Sequence, residues 1–163
     1  MAIFFTADTH FSHQRTLELS KRPFSDIYEM NKYIIEECWN RVVCIDDVVY
    51  HLGDFGDVDL VEHLCGEIIF LPGNYDSPTD IKTLSARCEI IEPNTIIDVD
   101  GNIFQLVHEP DEATISDNFF LFGHIHKLGM VKRNGLNVGV DCHNFTPLSL
   151  EEVLFYREDI RKY

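Results

Sequence analysis

The sequence predicts an α/β protein built as a four-layer αββα sandwich, in which two packed mixed sheets are flanked by helices. In the first half of the 163-residue chain, short β-branched and aromatic runs alternate with helical patterns, as in parallel sheets. In the second half, such runs flank Asp100-Gly101 and Asn134-Gly135, dipeptides that are typical of tight hairpin turns. No linker or repeat separates the halves, so we expect a single domain over residues 1–163.

Five apolar runs are long enough, and rich enough in β-branched and aromatic residues, to form buried strands. In chain order they are Ile3-Phe4-Phe5, Val48-Val49-Tyr50, Ile68-Ile69-Phe70-Leu71, Phe104-Gln105-Leu106-Val107 and Phe119-Phe120-Leu121-Phe122. The two predicted hairpins pair residues 96–99 with 103–107 and residues 130–132 with 136–140.

The clearest helix is expected to begin near Asp26, because Glu29 follows three residues later as in a capping box. The apolar stripe after this cap has helical spacing and consists of Ile27, Met30, Ile34 and Cys38. Shorter helices are predicted around residues 58–64 and 79–84. Ser149 and Glu152 predict the cap of a final helix.

A short polar cluster follows each predicted strand. The clusters are Asp8-Thr9-His10, Gly53-Asp54, Gly73-Asn74-Tyr75-Asp76, His108 and Gly123-His124-Ile125-His126. Ligand groups in open α/β sheets gather beyond the carboxyl ends of strands, so we expect the clusters to share one rim. Side chains alternate along an extended segment, which predicts Asp8 and His10 on the same side. Each cluster alone is compatible with a simple turn, but their joint order favours a pair of divalent metals.

The ordered series resembles the pattern of the calcineurin-like metallophosphoesterase superfamily, and the match spans residues 8–126. That pattern reads Asp-x-His, Gly-Asp, Gly-Asn-His-Asp, His and Gly-His-x-His. The resemblance implies that one metal is held by Asp8, His10 and His126. It implies that a second metal is held by Asn74, His108 and His124, with Asp54 bridging the two. A metal-bridging hydroxide would be the nucleophile, and Mn, Fe, Zn or Ni suits these mixed ligands.

One position departs from the family pattern, which has His where this chain has Tyr75. In many members that His stabilises the transition state or protonates the leaving group. A tyrosine hydroxyl donates hydrogen bonds but is poorly matched to acid catalysis at neutral pH. His13 could take over this role or be a surface or turn residue, and His143 and Cys142 are equally open. The 8–13 opening and the 137–141 run also resemble compact bacterial and phage members.

The chain has 28 acidic and 13 basic residues, a formal net charge of −15, which disfavours long duplex nucleic acid as a partner. No apolar stretch is long enough for a membrane span. Five widely spaced cysteines without a Cys-x-x-Cys pair predict three or four buried thiols in a reducing compartment, and we expect a cytoplasmic protein. The oligomeric state stays open.

The sequence therefore predicts a metal-dependent phosphoesterase, with phosphodiesters favoured over monoesters and a small or nucleotide-like ester as substrate. An alternative is a protein-interaction module of the same fold that has lost catalysis. A storage or sensing metal site is a third interpretation. All seven ligand positions are filled, which favours the enzyme.

Overall fold

The structure, a computed structural model, describes residues 1–114 and 117–162. Over these residues the chain forms two five-stranded sheets. The strands are Ile3–Thr6 (β1), Val48–His51 (β2), Glu67–Phe70 (β3), Glu89–Ile90 (β4), Thr95–Val99 (β5), Asn102–Leu106 (β6), Phe119–Phe122 (β7), Val131–Lys132 (β8), Gly135–Asn137 (β9) and Leu148–Ser149 (β10).

Both sheets are mixed. The first has the order β10-β1-β2-β3-β4, in which β1 to β4 run parallel and β10 runs antiparallel to β1. The second has the order β5-β6-β7-β9-β8, with hairpins at its two edges and parallel pairs between them. The predicted α/β class with two packed mixed sheets is therefore confirmed, and the five predicted apolar runs form β1, β2, β3, β6 and β7.

The first hairpin turns where the sequence predicts, whereas the second turns one residue before the predicted Asn134-Gly135, because Gly135 already belongs to β9. Val99 pairs with Asn102 across Asp100-Gly101, and Lys132 pairs with Gly135. Asp100 has φ 51 and Gly101 has φ 78, which are values that tight hairpin turns require.

The helices are Gln14–Leu19 (α1), Ile27–Lys32 (α2), Asn40–Val42 (α3), Pro78–Leu84 (α4) and Leu150–Lys162 (α5). Tyr33–Trp39 continues α2 as a π-helical segment, and shorter 3₁₀ segments are Val58–His63, Pro110–Glu112, His126–Leu128 and Val140–Cys142. The Asp26 carboxylate accepts a hydrogen bond from the Glu29 amide at 2.8 Å, which confirms the helix start, but the Glu29 carboxylate accepts the Ser25 amide at 2.7 Å and so does not complete a capping box with Asp26. Ser149 and Glu152 cap α5 reciprocally.

Two apolar cores lie on the two faces of the first sheet. Between the sheets, Phe5 of β1 packs with Phe104 and Phe119 of the second sheet. On the outer face, Met30 and Ile34 of the helical stripe join a second core against β2 and β3. Burial of these faces stabilises the layers by the hydrophobic effect and leaves the carboxyl ends of the strands free to carry polar residues. No helix in the described ranges has the length and apolarity that crossing a bilayer demands.

Candidate metal centre

The structure brings the predicted ligands together in two groups. The first group consists of Asp8, His10 and His126, and the second of Asp54, His108 and His124. Within each group the potential ligand atoms lie within 4.8 Å of one another. The side-chain oxygen of Asn74 adds to the second group, because it lies 3.0 Å from both His108 Nε2 and His124 Nδ1. Each group could hold one divalent ion.

Asp54 lies between the two groups. Its Oδ2 atom is 3.4 Å from His10 Nε2 in the first group and 3.3 Å from His108 Nε2 in the second. Its other oxygen, Oδ1, accepts a hydrogen bond from the backbone amide of Tyr75 at 2.9 Å, and this bond fixes the orientation of the carboxylate. Asp54 is thus the residue through which the groups are joined.

The residues present fit metal ions. His10 Nε2 is buried and has no hydrogen-bond partner within the described part of the chain. Such an atom costs about 1–3 kcal/mol when nothing satisfies it, and a cation between His10 and Asp54 would satisfy it. Imidazole nitrogens combined with carboxylate and amide oxygens suit first-row transition ions.

Hydrogen bonds hold two of the imidazoles with one nitrogen facing the centre. His108 Nδ1 lies 2.7 Å from the Leu52 carbonyl, so Nδ1 carries the proton and Nε2 is free for a ligand bond. His126 Nδ1 lies 2.7 Å from Asp141 Oδ2 in the same manner. Carboxylate and carbonyl partners of this kind orient the rings of metal-binding histidines.

The protonation preferences show how strongly the centre attracts positive charge. Burial opposes the charged imidazole, but the hydrogen bond to Asp54 and the charge of Asp8 raise the pKa of His108 to about 9. Burial alone would raise the pKa of Asp54, yet the neighbouring His10 and His108 imidazoles and the Tyr75 amide hold that pKa below its usual range. Burial raises the pKa of Asp8 despite the histidines nearby. The ionised Asp54 therefore favours positive charge next to it.

With this geometry established, the chain can be placed among known proteins. It matches the calcineurin-like phosphoesterase superfamily domain over residues 1–141. The protein belongs to this superfamily. The uncharacterised protein MJ1445 of Methanocaldococcus jannaschii is 34% identical over 169 residues, which covers 93% of this chain and 89% of that protein. The crystal structure of AQ665, a protein of unknown function from Aquifex aeolicus, has the same fold. It has a TM-score of 0.76 and 22% identity, over 95% of this chain and 98% of that chain.

The predicted extended backbone over Asp8–His10 is wrong. Asp8 has φ 58 and His10 has φ 47, so both residues are left-handed. Their amides donate to the carbonyls of Gly53 and Asp54 at 2.9 and 3.0 Å, and this pairing turns the loop. Left-handed backbone costs about 1–2 kcal/mol per residue and concentrates at functional sites. The other left-handed ligand residues are Asp54, His124 and His126.

Gly53 makes the turn that aims the Asp54 carboxylate. Its φ is 93, and a Cβ atom there would lie 2.5 Å from the Gly73 nitrogen and 2.7 Å from His108 Nδ1. Only glycine satisfies both the backbone conformation and this close approach.

Arg22 supports the first group and was not predicted as a site residue. Its buried guanidinium donates to the carbonyls of Asp8 and Thr9 at 2.6 and 2.8 Å. It also binds both carboxylate oxygens of Asp141, at 3.0 and 2.9 Å. Burial opposes ionisation of Asp141, but the hydrogen bonds from His126 and Arg22 lower its pKa to about 2. No local motif marks Arg22, because its partners lie in distant segments.

The 137–141 run, which the sequence links only to compact family members, supports the same group. The Asn137 amide donates to the carbonyls of His126 and Gly129, both at 3.0 Å, and holds the loop that carries His126. A Cβ atom on Gly139 would lie 2.6 Å from Asp8 Oδ2. Asp141 ends the run and binds His126.

Tyr75 and His13 both lie at the rim of the centre. The His13 ring stacks on the His10 ring with centroids 5.3 Å apart, and the Tyr75 ring lies 5.7 Å from each. Burial and the charge of His10 lower the pKa of His13, and its Nδ1 is 2.6 Å from Thr16 Oγ1. His13 is thus beside a ligand rather than on a remote turn, while its predicted catalytic role stays a prediction.

The remaining candidates lie outside the two groups. The Asp76 carboxylate accepts hydrogen bonds from the backbone amides of Asp54, Phe55 and Gly73, so it stabilises the turns that follow β2 and β3. His51 is fully buried, its Nε2 lies 2.9 Å from the Thr9 hydroxyl, and burial lowers its pKa to about 3, so it is a structural residue. The other two contact the protein backbone: His143 Nε2 lies 2.6 Å from the Asn137 carbonyl, and Cys142 Sγ lies 3.2 Å from the His126 carbonyl.

Proposed function

We propose that the protein is a phosphoesterase that uses two divalent metal ions and prefers phosphodiesters to phosphomonoesters. The position of Asp54 supports this proposal most directly, because one carboxylate oxygen lies within 3.4 Å of a histidine nitrogen from each ligand group. A storage site for one ion has no need of an anion shared between two groups. Two divalent ions would supply Lewis acidity toward the phosphoryl group and the activation of water as nucleophile.

The protein's own groups set the charge of the centre. Asp54 supplies one anion to both groups, and the Tyr75 amide keeps that carboxylate in place. Asn74 contributes a neutral oxygen to the second group. The neutral ligand leaves more net positive charge to stabilise a phosphoryl transition state than a carboxylate would.

The diester preference depends on the rim. A monoester hydrolase must expel an alkoxide from a dianionic phosphate, and an imidazolium acid assists that departure. Here the family's histidine position carries Tyr75, whose side chain is 58% exposed beside His10 and His13. An aryl or strained cyclic diester has a better leaving group and needs less acid catalysis.

The test compares matched aryl monoester and diester substrates after loading with Mn²⁺, Co²⁺, Ni²⁺ or Zn²⁺. We expect diester hydrolysis to exceed monoester hydrolysis clearly. Tyr75→His should raise monoester activity, by up to the roughly 10²–10⁴-fold that general acid catalysis contributes. Tyr75→Phe is the control, because it keeps the ring but removes the hydroxyl.

A wild-type preference for the monoester would contradict the role given to Tyr75. If His13→Ala then removed monoester activity without changing metal content, the acid would be His13. Absence of all ester hydrolysis in metal-loaded protein would instead favour the protein-interaction alternative.

A further inference from the structure

A cleft of about 570 Å³ opens beside the metal centre. One side is formed by His10, Asp54 and His126, and its walls continue outward along α1 and the loop after β7. Clefts of this size accommodate cofactor-sized and nucleotide-sized ligands. The cleft is therefore larger than a lone phosphoryl group requires.

The outer walls of this cleft are positively charged, although the chain as a whole is acidic. Acidic residues outnumber basic ones by 28 to 13 overall, yet the outer cleft is lined by Arg15, Lys21 and Lys127. Asp54 is the acidic residue in the lining, and it belongs to the metal centre. In the described part of the chain, none of the three cations forms an ion pair. These side chains are available for an anionic group that lies beyond the scissile phosphate.

The same walls expose large apolar side chains. Leu19 is 70% exposed, Leu128 is 91% exposed and Tyr75 is 58% exposed. Grouped exposed apolar side chains beside a polar site mark ligand-binding surfaces. Tyr75 also presents an aromatic ring on which a flat group can stack.

We propose that this cleft selects nucleotide diesters that carry a second phosphate group. The nucleobase or sugar would pack on Tyr75, Leu19 and Leu128. The second phosphate would contact Arg15, Lys21 and Lys127 while the diester phosphate lies at the metal centre. This inference rests on the proposed phosphodiesterase function and adds the substrate class.

The kinetic test uses two thymidine substrates that differ by one phosphate. Water attacks the 5′ phosphorus of thymidine 3′-phosphate 5′-(p-nitrophenyl phosphate), the bond to the aryl oxygen breaks, and the products are thymidine 3′,5′-bisphosphate and p-nitrophenol. Thymidine 5′-(p-nitrophenyl phosphate) reacts in the same way but lacks the 3′-phosphate. We expect kcat/KM to be at least about tenfold higher for the substrate with the extra phosphate, as for a charge-assisted contact.

One triple variant and a matched control locate the preference. Arg15→Gln, Lys21→Gln and Lys127→Gln combined should abolish the difference between the two thymidine substrates. They should lower kcat/KM for bis(p-nitrophenyl) phosphate far less than kcat/KM for the 3′-phosphorylated substrate, because that diester has no second phosphate. Lys82→Gln removes an exposed cation on α4 outside the cleft and should retain the preference.

A calorimetric titration provides a readout that does not depend on turnover. Thymidine 3′,5′-bisphosphate should bind Mn²⁺-loaded protein at least about tenfold more tightly than thymidine 5′-monophosphate, and the triple variant should lose this difference. Tight selective binding without ester hydrolysis would uphold the cleft and refute the proposed activity. A different result would overturn the cleft assignment alone. In that case the protein hydrolyses bis(p-nitrophenyl) phosphate but cleaves the two thymidine substrates with equal kcat/KM and binds the bisphosphate and the monophosphate equally tightly.

Discussion

The two residue groups of the candidate metal centre are held in different ways. In the first group, His126 is oriented by Asp141, and Asp141 is bound by the buried Arg22, which also holds the Asp8 carbonyl. In the second group, His108 is oriented by a main-chain carbonyl, that of Leu52. The first group thus depends on the buried ion pair between Arg22 and Asp141, which are 119 positions apart in the chain. The second group depends on a main-chain carbonyl just after β2.

This difference separates the effects of substitution. A backbone carbonyl holds His108 whatever side chain is nearby, so the second group depends mainly on turn conformation. The first group depends on charged side chains whose loss leaves a buried partner unsatisfied. We therefore expect the first group to be the more sensitive to side-chain changes outside the ligands.

The largest effect is expected from Asp54→Ala, because Asp54 is shared by both groups. Protein reconstituted with excess Mn²⁺ and then desalted should retain close to no metal in this variant. His126→Ala should instead lose mainly the ion of the first group. Elemental analysis by mass spectrometry measures both. Wild-type protein that retains only one tightly bound ion would refute the two-ion proposal.

The next largest effect concerns folding stability. Arg22→Met leaves the buried Asp141 carboxylate and two carbonyls without their donor, which should lower the free energy of unfolding by roughly 3–5 kcal/mol. Urea denaturation of the metal-free protein provides the measurement. Arg41→Met is the control, since Arg41 pairs with Glu37 on the exposed surface and should cost less than about 1 kcal/mol. Equal losses in the two variants would show that the buried pair has no special role.

The smallest effect should appear in Asp141→Asn. This change keeps the shape of the side chain but removes the charge that orients His126, so the first ion should bind roughly 10–100-fold more weakly. Competition against a chromophoric chelator reports both affinities. Asn74→Ala should give the reverse pattern, with the second ion weakened.

A double variant shows whether Asp141 acts through His126. In a His126→Ala background, Asp141→Asn should cause no further loss of metal affinity. An additional loss of the same size would mean that Asp141 supports the centre by another route.

Much of the fold was predictable because it depends on local pattern. The capping pair Asp26 and Glu29, the buried stripe after it and the Asp100-Gly101 hairpin all involve residues within a few positions of one another. The meeting of the two residue groups at one rim was predictable for a related reason. Each polar cluster follows an apolar run, and strand ends meet at one rim.

The local geometry at Asp8 and His10 was not predictable from alternation. Their left-handed backbone results from hydrogen bonds to the carbonyls of Gly53 and Asp54, which belong to a neighbouring strand end. The spacing of Asp8 and His10 in the sequence cannot predict this backbone conformation, because the hydrogen bonds to Gly53 and Asp54 exist only after the sheet has formed.

The sequence by itself determined the fold class, the order of the ligand clusters and the substitution at Tyr75. Tertiary structure decided that Arg22 and Asp141 meet, that His13 stacks on His10, and that three cations line one cleft in an acidic protein. The physical reason is the range of the interactions. Strands, caps and turns are set by neighbours in the chain, whereas buried ion pairs and clefts join segments that only folding brings into contact.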